Sequence, residues 1–137
     1  MTPPVQRAAL LLSIAIGLVV GLWAAAWPEA FYDSFPGFGR TWVADDGPLN
    51  EHLIRDVGAL YLALAGASVA SLWTRDTRVA GAAWTIFGVL HLAYHLGHLA
   101  DMAAIDVVGN VVALGLSLLV GVALLVPVRH HVMEVVR

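Results

Sequence analysis

Six histidines occur in 137 residues, and four of them stand with acidic side chains in or beside long apolar stretches. Three lie in His91-Leu-Ala-Tyr94-His95-Leu-Gly-His98, and at 100° per residue a helix brings them within about 60° of one another on one face. Asp101 follows one turn later. The fourth sits in Asn50-Glu51-His52-Leu-Ile-Arg55-Asp56, where His52 and Asp56 are four apart and share a face. Asp106 and Asn110 repeat that spacing.

Several chemistries suit such a set. Neutral imidazoles with one or two carboxylates hold zinc, copper or iron, and i, i+4 and i, i+7 spacing lets one helix supply several ligands. A carboxylate that does not ligate can orient a histidine through its other ring nitrogen. The same groups suit a proton relay, and two histidines on facing helices suit axial ligation of haem. A ligand-free network is the remaining alternative, with Arg55 paired to Asp56 or Glu51 and the histidines tied to one another, to Tyr94 or to carbonyls. Polar groups are costly in hydrocarbon, so several at one depth favour function. The leading expectation is a transition-metal site with His52, His95 and His98 as first ligands and Asp56 and His91 next. Glu51 or Asp101 would ligate or orient. A catalytic metal with an open position would activate water or oxygen, leaving hydrolysis and oxidation equally open. The alternative is a haem-holding or metal-free accessory or electron-transfer subunit of a larger membrane complex. His130 and His131, beside Arg129 with only Glu134 near, read as a solvated tail.

These residues sit in a chain that is 60% hydrophobic and 12% charged, where a soluble domain carries about 25% charged residues. Uncharged runs cover residues 8–27, 57–73, 79–100 and 107–128, and a spanning helix needs about 20 residues. The expected architecture is all-α: one transmembrane domain over 1–137, an integral membrane four-helix up-down bundle. Its helices lie near 8–27, 48–73, 79–100 and 106–128, with Pro48 at the first position of the second. The first run is longer than the apolar region of a signal peptide and reads as a retained helix. The loop over 28–47 carries Phe31, Tyr32, Phe35, Phe38 and Trp42 and is expected to lie on the membrane surface and cap the bundle. Trp23, Trp27, Trp42 and Trp73 read as interfacial anchors.

Ten acids face seven arginines, with no lysine and no cysteine. That excludes a basic nucleic-acid surface, disulfides, iron–sulfur clusters and thiolate chemistry. No Ser-His-Asp order, phosphate loop or dinucleotide glycine motif is present. Arg7, Arg75 with Arg78, and Arg129 with Arg137 mark cytoplasmic segments, whereas Glu29, Asp33, Asp45, Asp46, Asp101 and Asp106 mark extracytoplasmic ones. Both termini of a bacterial inner-membrane protein would then be cytoplasmic. Counted from the outer ends at 1.5 Å per residue, His52 and Asp56 lie roughly 3 and 9 Å deep, level with His98 and His95 at roughly 3 and 8 Å. His91 lies roughly 14 Å deep.

Small residues should set the helix contacts. Ser13, Gly17 and Gly21 mark the first helix, and Ser117 and Gly121 the fourth. On the second, Ala59, Ala63, Gly66 and Ala70 continue the face of His52 and Asp56, which is therefore expected to point inward. The Gly17–Gly21 face is expected inside the bundle, with a homo-oligomer as the alternative. The four-span layout, Pro28 after the first helix, and Leu53-Ile54-Arg55-Asp56-Val57-Gly58-Ala59 opening an alanine-rich second helix resemble the DoxX-like group of small bacterial membrane proteins. The resemblance implies a four-helix membrane bundle loosely linked to redox metabolism, with no agreed catalytic residues to carry over. The His91–His98 run departs from that pattern; its HxxxHxxH spacing is similar to single histidine boxes of membrane desaturases and hydroxylases, which carry several.

Overall fold

The computed structural model describes residues 3–100 and 102–127. Asp101 and the tail with Arg129, His130, His131, Glu134 and Arg137 lie outside them. Four long helices form the bundle: α1 (Pro3–Ala26), α4 (Glu51–Thr74), α5 (Arg78–Leu96) and α6 (Ala104–Leu125). Between α1 and α4 come α2 (Pro28–Ser34), a two-stranded ribbon of β1 (Pro36–Gly37) and β2 (Arg40–Thr41), and α3 (Trp42–Asp46). All four long helices are long and apolar enough to cross a membrane; α4 and α5 are the least apolar, at mean hydropathy 1.5 and 1.3 against 2.4 and 2.3.

The helix ends have local causes. Trp27 precedes Pro28 and takes a non-helical φ of −132 and ψ of 63, so α1 stops there, and Pro28 opens α2. The helix α4 begins at Glu51 rather than at Pro48, and Asn50 caps it: its side chain accepts a hydrogen bond from the Leu53 amide at 3.1 Å. The third spanning helix ends at Leu96, earlier than the apolar run suggests, because Gly97 turns the chain back onto the carbonyls of Ala93 and Tyr94. At β1–β2, Phe38 and Gly39 both have positive φ, 58 and 73, the two-residue turn that matches strand twist.

Close approach of small residues pairs the helices. A Cβ added at Gly17 would lie 2.8 Å from the Ala65 Cβ and the Tyr61 carbonyl, so the Gly17–Gly21 face packs against α4 inside the bundle. Gly121 does the same on α5, 2.8 Å from the Thr85 amide. Thus α1 lies along α4 and α5 along α6, α1 and α6 join the pairs, and α4 and α5 meet more sparsely, at Trp84–Ser68 and Tyr61–Phe87. In the centre Trp84, wholly buried, donates from Nε1 to Ser68 Oγ at 3.0 Å, and Ser13 Oγ donates to the same oxygen at 2.9 Å. At the end away from the cap, Gln6 Nε2 donates to Thr77 Oγ1, which donates to the Leu124 carbonyl at 2.6 Å.

The face of α4 differs from expectation. Ile54, Gly58, Tyr61, Ala65 and Ser68 are buried, while His52, Asp56, Ala59, Ala63, Gly66 and Ala70 face away from the bundle. Gly58 must approach Ala25, and Ser68 must reach Ser13 and Trp84, and these demands fix the rotation of the helix. Trp27 and Trp73 are exposed, but Trp42 is half-buried and turned inward over Gly109.

Candidate functional site

Beneath the cap lies a cavity of about 480 Å³, walled by all six helices. Its volume is in the range of small-molecule sites. Phe31, Phe35 and Trp42 form the roof, with ring centroids 4.5 Å apart for Phe31 and Phe35 and 6.1 Å for Phe35 and Trp42. The ribbon turn delivers Arg40 and Trp42 to one carboxylate. Trp42 Nε1 donates to Asp106 Oδ1 at 2.8 Å, and Arg40 Nη1 pairs with Asp106 Oδ2 at 3.2 Å. Asp106 is in the first turn of α6, where the helix dipole favours an anion. Tyr32 Oη adds a bond to the Gly47 carbonyl at 2.9 Å, fixing the far end of the cap.

Polar groups gather on one side of the cavity. His91 and His95, one turn apart on α5, bring their Nε2 atoms within 3.1 Å and stack with centroids 4.9 Å apart. Below them Phe87 meets His91 edge-on at 4.9 Å and Tyr61 meets Phe87 at 5.1 Å. At the mouth the Tyr94 hydroxyl donates to the Asp46 carboxylate at 3.3 Å. On α6, which lies along α5, Asn110 is buried to 3% exposure, and its Oδ1 has no hydrogen-bond partner among the described residues.

The six expected metal ligands do not share this space. His91 and His95 line it. His98 lies past the end of α5, where its Nδ1 donates back to the Tyr94 carbonyl at 2.8 Å and its ring stacks on Tyr94. His52 and Asp56 pair with each other at 3.3 Å, their side chains 88% and 62% exposed on the outer face of α4. Glu51 pairs with Arg55 at 2.8 Å, and Arg55 also donates to the Ala25 carbonyl. Among the described residues no group of three His, Cys, Asp or Glu side chains is placed to hold a metal ion. The expected match also needed α4 to turn His52 and Asp56 inward, and its inward face is taken by Ile54, Gly58 and Tyr61. Nor do described histidines face one another across helices, as axial haem ligation requires.

Asp46 and Tyr61 are cavity residues that spacing did not single out, and Asn110 was marked only by its four-residue spacing from Asp106. For Asn110 there was a signal: a lone amide in an apolar helix needs a partner. Asp46 joins Tyr94 over a separation of 48 residues, which no local pattern announces.

Fold and cavity together define a small multi-pass membrane protein, a four-helix bundle with an aromatic cap over an internal, largely apolar chamber. Comparison with family models, curated proteins and solved structures gives no match.

Proposed function

We propose that the protein binds a small amphipathic molecule in the capped cavity. One observation carries this reading: a largely apolar cavity large enough for a ligand includes in its lining the buried Asn110, whose Oδ1 has no partner among the described residues. An unpaired buried acceptor costs roughly 1–3 kcal/mol, which a polar atom of an occupant would recover. The apolar roof and the Ile16 and Val20 side of α1 suit the occupant's body, and the side holding His91, His95 and Asn110 suits its polar head. The DoxX-like resemblance contributes architecture to this reading and no site residue.

The test is photolabelling in nanodiscs with a diazirine-bearing n-alkanol. Label should fall on peptides containing Tyr94, His95 and Ala113, and Ala113→Trp, which fills the chamber from α6, should reduce it at least tenfold. Label confined to outward residues such as Val112 and Leu116 in both proteins would sink the proposal.

A second reading keeps a transition metal on His91 and His95. Two nitrogens of one tetrahedral zinc at about 2.0–2.1 Å lie about 3.3 Å apart, close to the 3.1 Å between these Nε2 atoms. The protein would supply two ligands, and solvent or the bound molecule the rest. Elemental analysis of protein made without an affinity histidine tag should then find metal that His91→Ala/His95→Ala lacks. Metal-free wild type, or equal content in both, would dismiss it.

A further inference from the structure

We infer that the occupant of the cavity carries a protonated amine, an organic ammonium on an apolar body. This rests on the amphipathic-ligand reading above and goes beyond it by assigning the head group.

The electrostatics of the lining point to that sign. Among the described residues, Asp46 is the only acid or arginine that lines the cavity. The two arginines nearest in the fold are occupied elsewhere, Arg40 on Asp106 and Arg55 on Glu51 and the Ala25 carbonyl. Asp46 accepts one hydrogen bond there, from Tyr94, and a carboxylate has room for several more. Asn110 Oδ1, which has no partner among the described residues, is also an acceptor, so a group that satisfies it must donate. The Nε2···Nε2 bond requires at least one of His91 and His95 to present a lone pair, so the two imidazoles are not both cationic.

The remaining surface is what a cation prefers among apolar groups. Phe31, Phe35, Trp42, Tyr61 and Tyr94 all line the chamber, and their negative ring faces attract an ammonium within about 6 Å. A carboxylate head would meet acceptors, ring faces and Asp46 with no resident cation to receive it. An alcohol could satisfy Asn110 Oδ1 but would leave Asp46 and the rings unused. The ammonium suits both the Asp46 carboxylate, exposed at the mouth, and the ring faces.

The experiment uses one frame with three heads: 4-phenylbutylammonium, 4-phenylbutanol and 4-phenylbutanoate, each competing with the alkanol photolabel in phosphatidylcholine nanodiscs, with concentrations corrected for partition into empty discs. The ammonium should displace label at concentrations at least tenfold below the alcohol, and the carboxylate should be weaker than both. In Asp46→Asn the ammonium's advantage over the alcohol should fall to about one. A carboxylate as potent as the ammonium, or an advantage that survives in Asp46→Asn, would overturn the inference while leaving the cavity reading standing. If the alcohol displaces nothing and Ala113→Trp labels like wild type, the cavity reading fails and takes this inference with it.

Discussion

Gly58→Leu should lower the unfolding free energy by about 3 kcal/mol, whereas Gly66→Leu on the same helix should change it by less than about 0.5 kcal/mol. A Cβ at Gly58 would sit 2.5 Å from the Ala25 amide nitrogen and 2.9 Å from its Cα, and backbone on both sides cannot yield as a side chain would. Nothing lies within 4 Å of a Cβ at Gly66, so a leucine there projects into the surroundings. Reversible unfolding in mixed micelles, followed by helical signal against denaturing-detergent fraction, measures both. The pair also fixes the rotation of α4. Equal losses at the two positions would mean that the stripe through Gly66 is packed, which would return His52 and Asp56 to the interior and revive the larger ligand set.

Asp106→Ala should loosen the cap by about 2 kcal/mol, since hydrogen bonds to a charged group are worth roughly 1.5–3 kcal/mol and this carboxylate receives two. It would leave the indole of Trp42 and the guanidinium of Arg40 without their acceptor, with the packing of the Trp42 ring over Gly109 remaining against α6. Amide exchange over residues 40–46 should speed up about 30-fold, the factor that such a change implies at about 1.4 kcal/mol per decade. Asp45→Ala is the control: Asp45 is exposed and accepts only from Thr41, so its loss should leave exchange near the wild-type rate. Unchanged exchange in Asp106→Ala would show that the aromatic stack of Phe31, Phe35 and Trp42 holds the roof unaided.

Much of the architecture was legible because lipid imposes a simple rule, an apolar run of fixed length for every span, and four such runs stand out. Their ends were less so, since a glycine at 97 and an asparagine at 50 decide them through single hydrogen bonds that hydropathy does not register. The aromatic density of residues 28–47 correctly implied a packed segment, though its short helices and ribbon depend on turn geometry at Phe38 and Gly39. Rotation of α4 was misread for a physical reason. Small residues occupy both of its faces, Ala59, Ala63 and Gly66 on one and Gly58, Ala65 and Ser68 on the other, so small size alone does not name the packed side. Bulk breaks the tie, because Ile54, Tyr61 and Leu64 accompany only the second set. His91 and His95 were visible from their spacing; Asp46 and Tyr61, brought to them by contacts distant in the chain, were not.

The sparse contact between α4 and α5 has a consequence for how the chamber would be filled. Leu53 on one side of that seam and Tyr94 on the other both line the cavity and are both exposed, 58% and 48%. A solute dissolved among acyl chains would meet an opening between Leu53 and Tyr94 sideways, and the concentration governing occupancy would then be the one in the leaflet. For an apolar body each methylene adds about 0.8 kcal/mol of transfer out of water, so four of them raise the local supply by more than about two orders of magnitude. Modest intrinsic affinity would suffice at low aqueous concentrations, and dependence on chain length would report partition as much as fit.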